Sequence, residues 1–396
     1  MTEPRPTLNL LPGRHKRLVS GHPWIFSNEV AMDAAAKSLP RGSLVTVAAA
    51  DGRKLGTAFF NPHSLIAGRM LSSEPDVEID APFFEARLRS ALALRESLYD
   101  RPFYRAVHTE ADNLPGLIVD RFGDVLSVQI NTAGMERCLD TLMEAFDAVF
   151  APRAIVLRND SGVRLLEGLE KYVRVAKGDV TPPIEIEEGG AHFFIDPLAG
   201  QKTGWFFDQR DNRTFMASLA KNKRVADFYS YAGGFAIRAS LAGASEVRAF
   251  DSSETALEFA RLAAERNGVS AICKFERAET FAELEKLAKV GERFDVVICD
   301  PPAFIKSRKD LNSGAKGYRK LARLAAAITA PSGFLFIASC SHHMEVAHFA
   351  EEVHRGIAAA GRSARVIRQS GASPDHPIHL FLPESAYLKA EVLQID

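Results

Sequence analysis

From about residue 223 the chain alternates short apolar runs with helical segments, and that rhythm limits the fold more than any other feature. "RVADFYS", "EVRAFDS", "AICKFE", "FDVVICD" and "GFLFIASCS" are each followed by a stretch of helical spacing, such as "TALEFARLAAERNG". Strand and helix in alternation predict an open, mostly parallel α/β sheet. "YLKAEVLQI" reads as one more strand near the end. In such a sheet ligands bind beyond the carboxyl ends of the strands, so the residues that close each run carry the functional argument.

The remaining chain reads differently. At 396 residues it is longer than one core usually spans, and two or three domains are expected. "SLVTVAAADGRKLGTAFFNPHSLIAGRML" gives β-rich runs split by Asp51-Gly52 and Asn61-Pro62, which fits a small barrel or sandwich. "FFEARLRSALALRESLY" has helical spacing at Phe84, Leu88, Leu92 and Leu98. "GLIVDRFGDVLSVQI" predicts a hairpin turning at Gly123-Asp124, followed by a helix from about 136 to 150. Thr181-Pro182-Pro183 marks a boundary. No apolar run approaches the length of a membrane span or a signal peptide core. No CxxC pair occurs among the four cysteines, so neither a zinc site nor a disulfide framework is expected, and a reducing cytoplasm fits.

The strand ends form a series. The first run closes at Asp227 and Phe228, before a turn containing Gly233 and Gly234. Glycine lets a ligand approach the backbone closely, but the spacing is not that of a dinucleotide grip. The second run ends in Asp251, placed to accept both hydroxyls of a ribose, with Ser252 beside it. Glu279 follows the third run and can face an adenine edge. One acid at a strand end can simply cap the next helix. Three in register with the glycines point to a ligand bearing adenosine.

The fourth run ends in "CDPPAFIKS". Asp300 can hydrogen-bond a base edge, Pro301 and Pro302 stiffen the backbone, and Phe304 can stack on a planar base. A tight strand-to-loop turn needs neither the acid nor the aromatic ring. The fifth run ends at Cys340, which places a thiol beside Asp300. A thiolate there has a specific use: adding to C6 of cytosine makes C5 able to attack a methyl group, while Asp300 stabilises protonated N3. Buried cysteines are commonly inert, and Cys138, Cys273 and Cys299 fall within helical or strand patterns expected to be core. His342, His343, His376 and His379 lack metal-ligand spacing and read as surface or substrate-loop residues; no metal is expected. Net charge is −1, so nucleic-acid binding must use local patches. Arg14, Lys16 and Arg17 form one, and Lys306, Arg308, Lys309, Lys316, Arg319 and Lys320 another; a solvated surface is the alternative for each.

With these motifs the chain resembles the bacterial 23S rRNA (cytosine-5) methyltransferases, S-adenosylmethionine-dependent enzymes of class I. "GHPWIFSNEV", "EADNLPGLIVDRFGD", "GQKTGWFFDQRDNR", "DFYSYAGGFA", "DPPAFIKS", "SCSHH" and "LPESAYLK" carry the resemblance along nearly the whole length. It implies an N-terminal PUA-like RNA-binding β-barrel over residues 1–75, a middle α+β domain over 76–183 and a Rossmann-like methyltransferase domain with a mostly parallel seven-stranded sheet over 184–396. It implies that Asp227, Ser230, Gly233 and Gly234 form the S-adenosylmethionine loop, that Asp251 holds the ribose, that Ser252 also contacts the cofactor and that Glu279 lies near the adenine. Gln209 and Arg210 would close over the cofactor, which Asp300 would also contact. Cys340 takes the nucleophile position and Asp300 that of the base-binding acid. Pro301, Pro302, Phe304, Lys306, Arg14, Lys16 and Arg17 are the expected RNA-side contacts. The implied partner is 23S rRNA or a large-subunit precursor, with a homodimer expected from the family's habit and no membrane. Ala303 departs from the wider class of RNA cytosine-5 methyltransferases, many of which carry a second cysteine there for product release. Related enzymes with a similar Asp-Pro-Pro-Phe segment methylate guanine or exocyclic amines, so a target other than cytosine stays open, as does a non-catalytic ribosome-assembly factor; a dinucleotide oxidoreductase is more distant.

Overall fold

The structure, a computed structural model, describes residues 5–396. The chain divides into two compact units. One comprises Met1–Pro182, Pro197–Trp205 and Asp375–Ser385; the other Pro183–Asp196, Phe206–Pro374 and Ala386–Asp396.

The first unit holds two five-stranded sheets. In one, the order is Thr7–Asn9, Ser43–Ala48, Lys54–Phe60, Ile66–Ser72 and Trp24–Phe26. Ser43–Ala48 and Lys54–Phe60 pair antiparallel around Asp51-Gly52, where Gly52 has φ +83°. Leu8, Ile25, Val45, Val47, Ala58 and Phe60 fill its core. In the other, Leu117–Phe122 and Val125–Ile130 form the expected hairpin, Phe122 opposite Val125. The amphipathic helix Ala81–Leu98 covers this sheet, its start fixed by the Asp80 carboxylate accepting from Phe83 N–H at 2.9 Å. Phe84 and Leu88 enter the core, whereas Leu98 stays exposed. The helix expected from 136 to 150 is two pieces, Ala133–Arg137 and Leu139–Phe150, broken at Cys138. Two distant segments return to this unit. Arg158 donates to the carbonyls of Pro197 and Gly200, and the buried Arg95 to that of Asp375.

The second unit is built on a seven-stranded sheet. Its strands are β1 (Arg224–Phe228), β2 (Glu246–Asp251), β3 (Cys273–Arg277), β4 (Phe294–Cys299), β5 (Thr329–Ser339), β6 (Ala364–Ser370) and β7 (Lys389–Ile395). The order is β3-β2-β1-β4-β5-β7-β6, parallel from β3 to β5, with β7 antiparallel to both β5 and β6. Helix α1 (Arg210–Ser218) precedes β1, and between the strands run α2 (Gly234–Leu241), α3 (Glu254–Arg266), α4 (Thr280–Lys289), α5 (Leu311–Ile328) and α6 (Val346–Ala359). Buried on both faces, β1, β4 and the Leu335–Ser339 part of β5 read as largely apolar runs, as covered parallel strands do. Phe228 and Phe250 stack at 4.8 Å between β1 and β2. Because β1 to β5 are parallel, their carboxyl ends share one edge. The chain order reverses at β1 beside β4, which puts the switch point of the sheet there.

Candidate active site

The segment after β1 is held in an unusual conformation. Tyr229 and Tyr231 have φ of +61° and +49°, and Gly233 has φ +81°. Two non-glycine residues in left-handed conformations within three positions cost energy, and such strain concentrates at functional loops. Gly233 is required twice, since a Cβ there would also lie 3.1 Å from the Ala260 side chain. Gly234 opens α2 and is buried.

Asp227 is buried at the end of β1. Its Oδ2 accepts from Ala236 N–H at 3.1 Å at the start of α2, and its Oδ1 has no partner among the described residues. The Ser230 hydroxyl is likewise buried without a partner. Burial, with the charges of Asp300 and Asp251 adding to it, pushes the Asp227 carboxyl well above the usual carboxylate range. An unsatisfied buried carboxylate oxygen and hydroxyl on one loop are what a polar ligand with donors and acceptors would satisfy. The residues present therefore fit the cofactor expected from the sequence.

Asp251 ends β2 and braces the same loop: Oδ2 accepts from Tyr231 N–H at 2.8 Å and Oδ1 from Ser253 N–H at 2.9 Å. Ser252 is exposed next to it. Glu279 is exposed at the start of α4 and makes no side-chain cap, so helix capping does not account for its carboxylate. Gln209 is buried ahead of α1. Its amide donates to Asp300 Oδ1 at 2.8 Å and accepts from Asn212 at 2.7 Å. Arg210 opens α1, its guanidinium 3.7 Å from Glu188. The structure thus joins Gln209 to Asp300 directly, and sets Asp227 and Asp251 at the strand ends that flank the 229–233 loop, Asp251 accepting from Tyr231 N–H.

Asp300 leaves β4 with its N–H directed at Phe228 O, 3.5 Å away. Pro301 is buried and Pro302 exposed. Phe304 is half-buried. Its ring lies 4.7 Å from Tyr318 and 6.0 Å from Phe281, so one side is already packed. Cys340 follows β5 and is half-buried. Of the other cysteines, Cys273 and Cys299 are buried and Cys138 is half-buried like Cys340; burial pushes the thiols of Cys138 and Cys273 up to about 11 and about 12, and that of Cys299 further still.

A hydroxyl relay that sequence reading did not find ties the two loops together. Tyr318, on α5, is fully buried. Ser339 Oγ donates to its phenol oxygen at 2.8 Å, and Ser341 Oγ lies 2.8 Å from that oxygen. Ser341 Oγ also accepts from Ile305 N–H at 3.2 Å. Residues on both sides of Cys340 are thereby fixed to the loop that begins at Asp300. The only sequence signal was a pair of serines flanking the cysteine, which does not name the tyrosine.

The basic residues divide. Arg319 pairs with Glu352 and Lys320 with Glu285, whereas Lys306, Arg308, Lys309 and Lys316 are exposed and make no ion pair among the described residues. In the first unit Arg17 pairs with Glu29 and lies over the Phe26 ring, while Arg14 and Lys16 are exposed. His342 stacks on Tyr387, and His376 contacts Asp375 at 2.8 Å. No three His, Cys, Asp or Glu side chains gather for a metal among the described residues, and no described helix is long and apolar enough to cross a membrane.

Comparison with known proteins matches residues 8–73 to a PUA-like domain and residues 170–377 to S-adenosylmethionine-dependent methyltransferase. The ribosomal RNA large subunit methyltransferase I of Aeromonas salmonicida is 37% identical over 390 residues, covering 97% of this chain and 98% of its own. That of Erwinia tasmaniensis is 37% identical over 387 residues, covering 96% and 97%. A solved structure of a methyltransferase candidate complexed with SAH superposes with a TM-score of 0.84 at 20% identity, covering 98% of this chain and 100% of that one.

Proposed function

The chain belongs to the ribosomal RNA large subunit methyltransferase I family of S-adenosylmethionine-dependent enzymes, and from that premise we propose that it forms 5-methylcytosine in 23S rRNA through a covalent bond between Cys340 and C6 of the target base. The observation that carries this reading is the placement of Asp300 and Cys340 at the carboxyl ends of adjacent parallel strands, their loops joined through Ser341 and Tyr318.

S-adenosylmethionine, when bound, supplies the methyl group. Asp227 and Ser230 offer it the buried oxygens that lack partners, Asp251 and Ser252 its ribose contacts, and Glu279 a carboxylate beside its base; Gly233 and Gly234 let it approach the backbone, and Arg210 stands at the entry segment. The target cytosine must leave its stack to reach the site. The Cys340 thiolate adds to C6, and the C5–C6 π pair moves to C5, which would take the methyl group as its bond to sulfur breaks, leaving S-adenosylhomocysteine. Asp300, oriented by Gln209, stabilises the proton on N3 during this addition. Loss of the C5 proton to a base or to water then restores the double bond and expels the thiolate. Pro301 and Pro302 hold the backbone, Phe304 offers its open side to a base, and Lys306, Arg14, Lys16 and Arg17 contact phosphates. In this reading residues 1–75 bind RNA, residues 76–183 form the middle domain and residues 184–396 carry out methyl transfer in the cytoplasm.

The test follows labelled methyl transfer from S-adenosylmethionine to undermethylated 23S rRNA and to large-subunit particles, with the modified nucleoside identified after digestion. Wild type is expected to yield 5-methylcytosine. Cys340→Ala is expected to lose at least ~10³-fold in rate with cofactor binding intact. A methylated guanine or an active Cys340→Ala variant would overturn the covalent reading and favour transfer to guanine or a base nitrogen.

A further inference from the structure

Lys389 is the last residue of "LPESAYLK", and none of the chemistry above uses it. It opens β7, which runs antiparallel to β5, so it sits opposite Ser339 at the edge where Cys340 leaves the sheet. A lysine 4% exposed is rare, because burying an ammonium is costly unless it is paired. Here Nζ donates to Ser341 O at 2.7 Å and Met344 O at 2.6 Å. Both acceptors belong to the turn that follows Cys340. The titratable groups at this turn are Cys340, His342, which stacks on Tyr387, and His343, together with the Tyr318 phenol, which burial holds above its ordinary value. The carboxylate two residues along the same strand, Glu391, is engaged by His354 and Gln369.

We propose that Lys389 is the positioning residue of the nucleophile: it clamps the turn after Cys340 through two carbonyls and keeps a positive charge beside the thiolate. This inference rests on the covalent reading for its role in catalysis, though not for its physical effect on the thiol. An ammonium that served only as a structural clamp would be replaceable by other donors. One that serves the thiolate must carry charge at working pH. Burial lowers the Lys389 ammonium to about 8, and the neighbouring Cys340 opposes that fall. The charge is therefore present at neutral pH and is lost in mildly alkaline solution.

The experiment measures alkylation of Cys340 by iodoacetamide in the full-length protein as a function of pH, quantified on the Cys340 peptide by mass spectrometry. Wild type, Lys389→Arg and Lys389→Gln are compared, with folding checked by thermal melting. Lys389→Gln is expected to raise the midpoint of the profile by one pH unit or more, a tenfold loss of thiolate below the midpoint. Lys389→Arg keeps the charge and should retain most of the wild-type profile. A folded Lys389→Gln protein with an unchanged midpoint overturns the inference. Should the Gln variant not fold, the Arg variant decides: a midpoint raised as far as that of a free thiol also overturns it. Methyl transfer by Cys340→Ala is assayed alongside. An active Cys340→Ala with a Lys389-dependent thiol would refute the covalent reading alone.

Discussion

Asp227 shows in one side chain how the site trades stability for binding. Above about pH 4 a carboxyl is ionised in the unfolded chain. In the folded unit burial and the neighbouring acids resist that ionisation. Between the two values the folded state binds the proton and the unfolded state does not, so stability falls as pH rises through this window. Replacing the carboxylate by its amide removes the penalty and keeps an acceptor for Ala236 N–H. Asp227→Asn is therefore expected to melt about 2–4 °C higher than wild type at pH 7.5 without cofactor, the shift that ~1 kcal/mol produces at this size. The advantage should vanish near pH 4, and cofactor affinity should drop at least ~10-fold. Melting curves across pH, with calorimetric titration of S-adenosylmethionine, check both signs. A variant less stable than wild type at pH 7.5 would mean the acid is held by contacts stronger than its desolvation.

Helix α5 shows why elements rather than single residues place the base-side loop. Its face toward that loop carries Gly314 and Gly317, and Phe304 packs into the space they leave. A Cβ on Gly314 would lie 2.3 Å from Ile305 Cγ1 and 2.9 Å from Phe304 O, so the loop backbone itself has to move. Gly314→Ala gains up to ~1 kcal/mol in helix propensity and loses ~1–3 kcal/mol to overpacking. The expected outcome is a small net loss of stability, a fall in methyl transfer of ~10-fold or more, and unchanged cofactor affinity. Asn312→Ala, on the exposed part of the same helix, should change none of these. Equal activity in the two variants would show that the loop tolerates displacement. The strand ends Asp227, Asp251, Asp300 and Cys340 were legible in the sequence because each closes a short apolar run, and a buried parallel strand announces itself that way. Glycines inside a helix signal close packing without naming the partner. Tyr318 gave no signal, since its hydroxyl partners lie 21 and 23 residues away. The edge strand β6 was missed from its own residues because "ARVIRQS" is largely exposed and lacks the apolar run that marks its neighbours.

The pattern of contact along the chain sets a different limit. Residues 197–205 and 375–385 belong to the first unit although long stretches of the second lie between them. Nothing local in "PLAGQKTGW" or "DHPIHLFLPES" announces that return, because it rests on partners such as Arg158 and Arg95 far away in sequence. Charge behaves oppositely: its excess is local and legible, while the total is not informative. The molecule carries 49 basic and 50 acidic side chains, so no overall field draws it to RNA. Within the stretch from Lys306 to Lys320, the cations that make no ion pair among the described residues are Lys306, Arg308, Lys309 and Lys316. Each phosphate contact releases counterions and adds ~0.7–0.9 to the slope of log K against log salt. If all four touch phosphates, exchanging them for glutamine should lower that slope by ~3, and Lys320→Gln, already neutralised by Glu285, should leave it unchanged. The measurement is rRNA-fragment binding across a salt series. An unaltered slope in the fourfold variant would place the RNA elsewhere on the surface. A slope reduced by Lys320→Gln as strongly as by each of the four would show that the ion pair opens on binding, so that pairing in the free protein does not decide which cations meet the RNA.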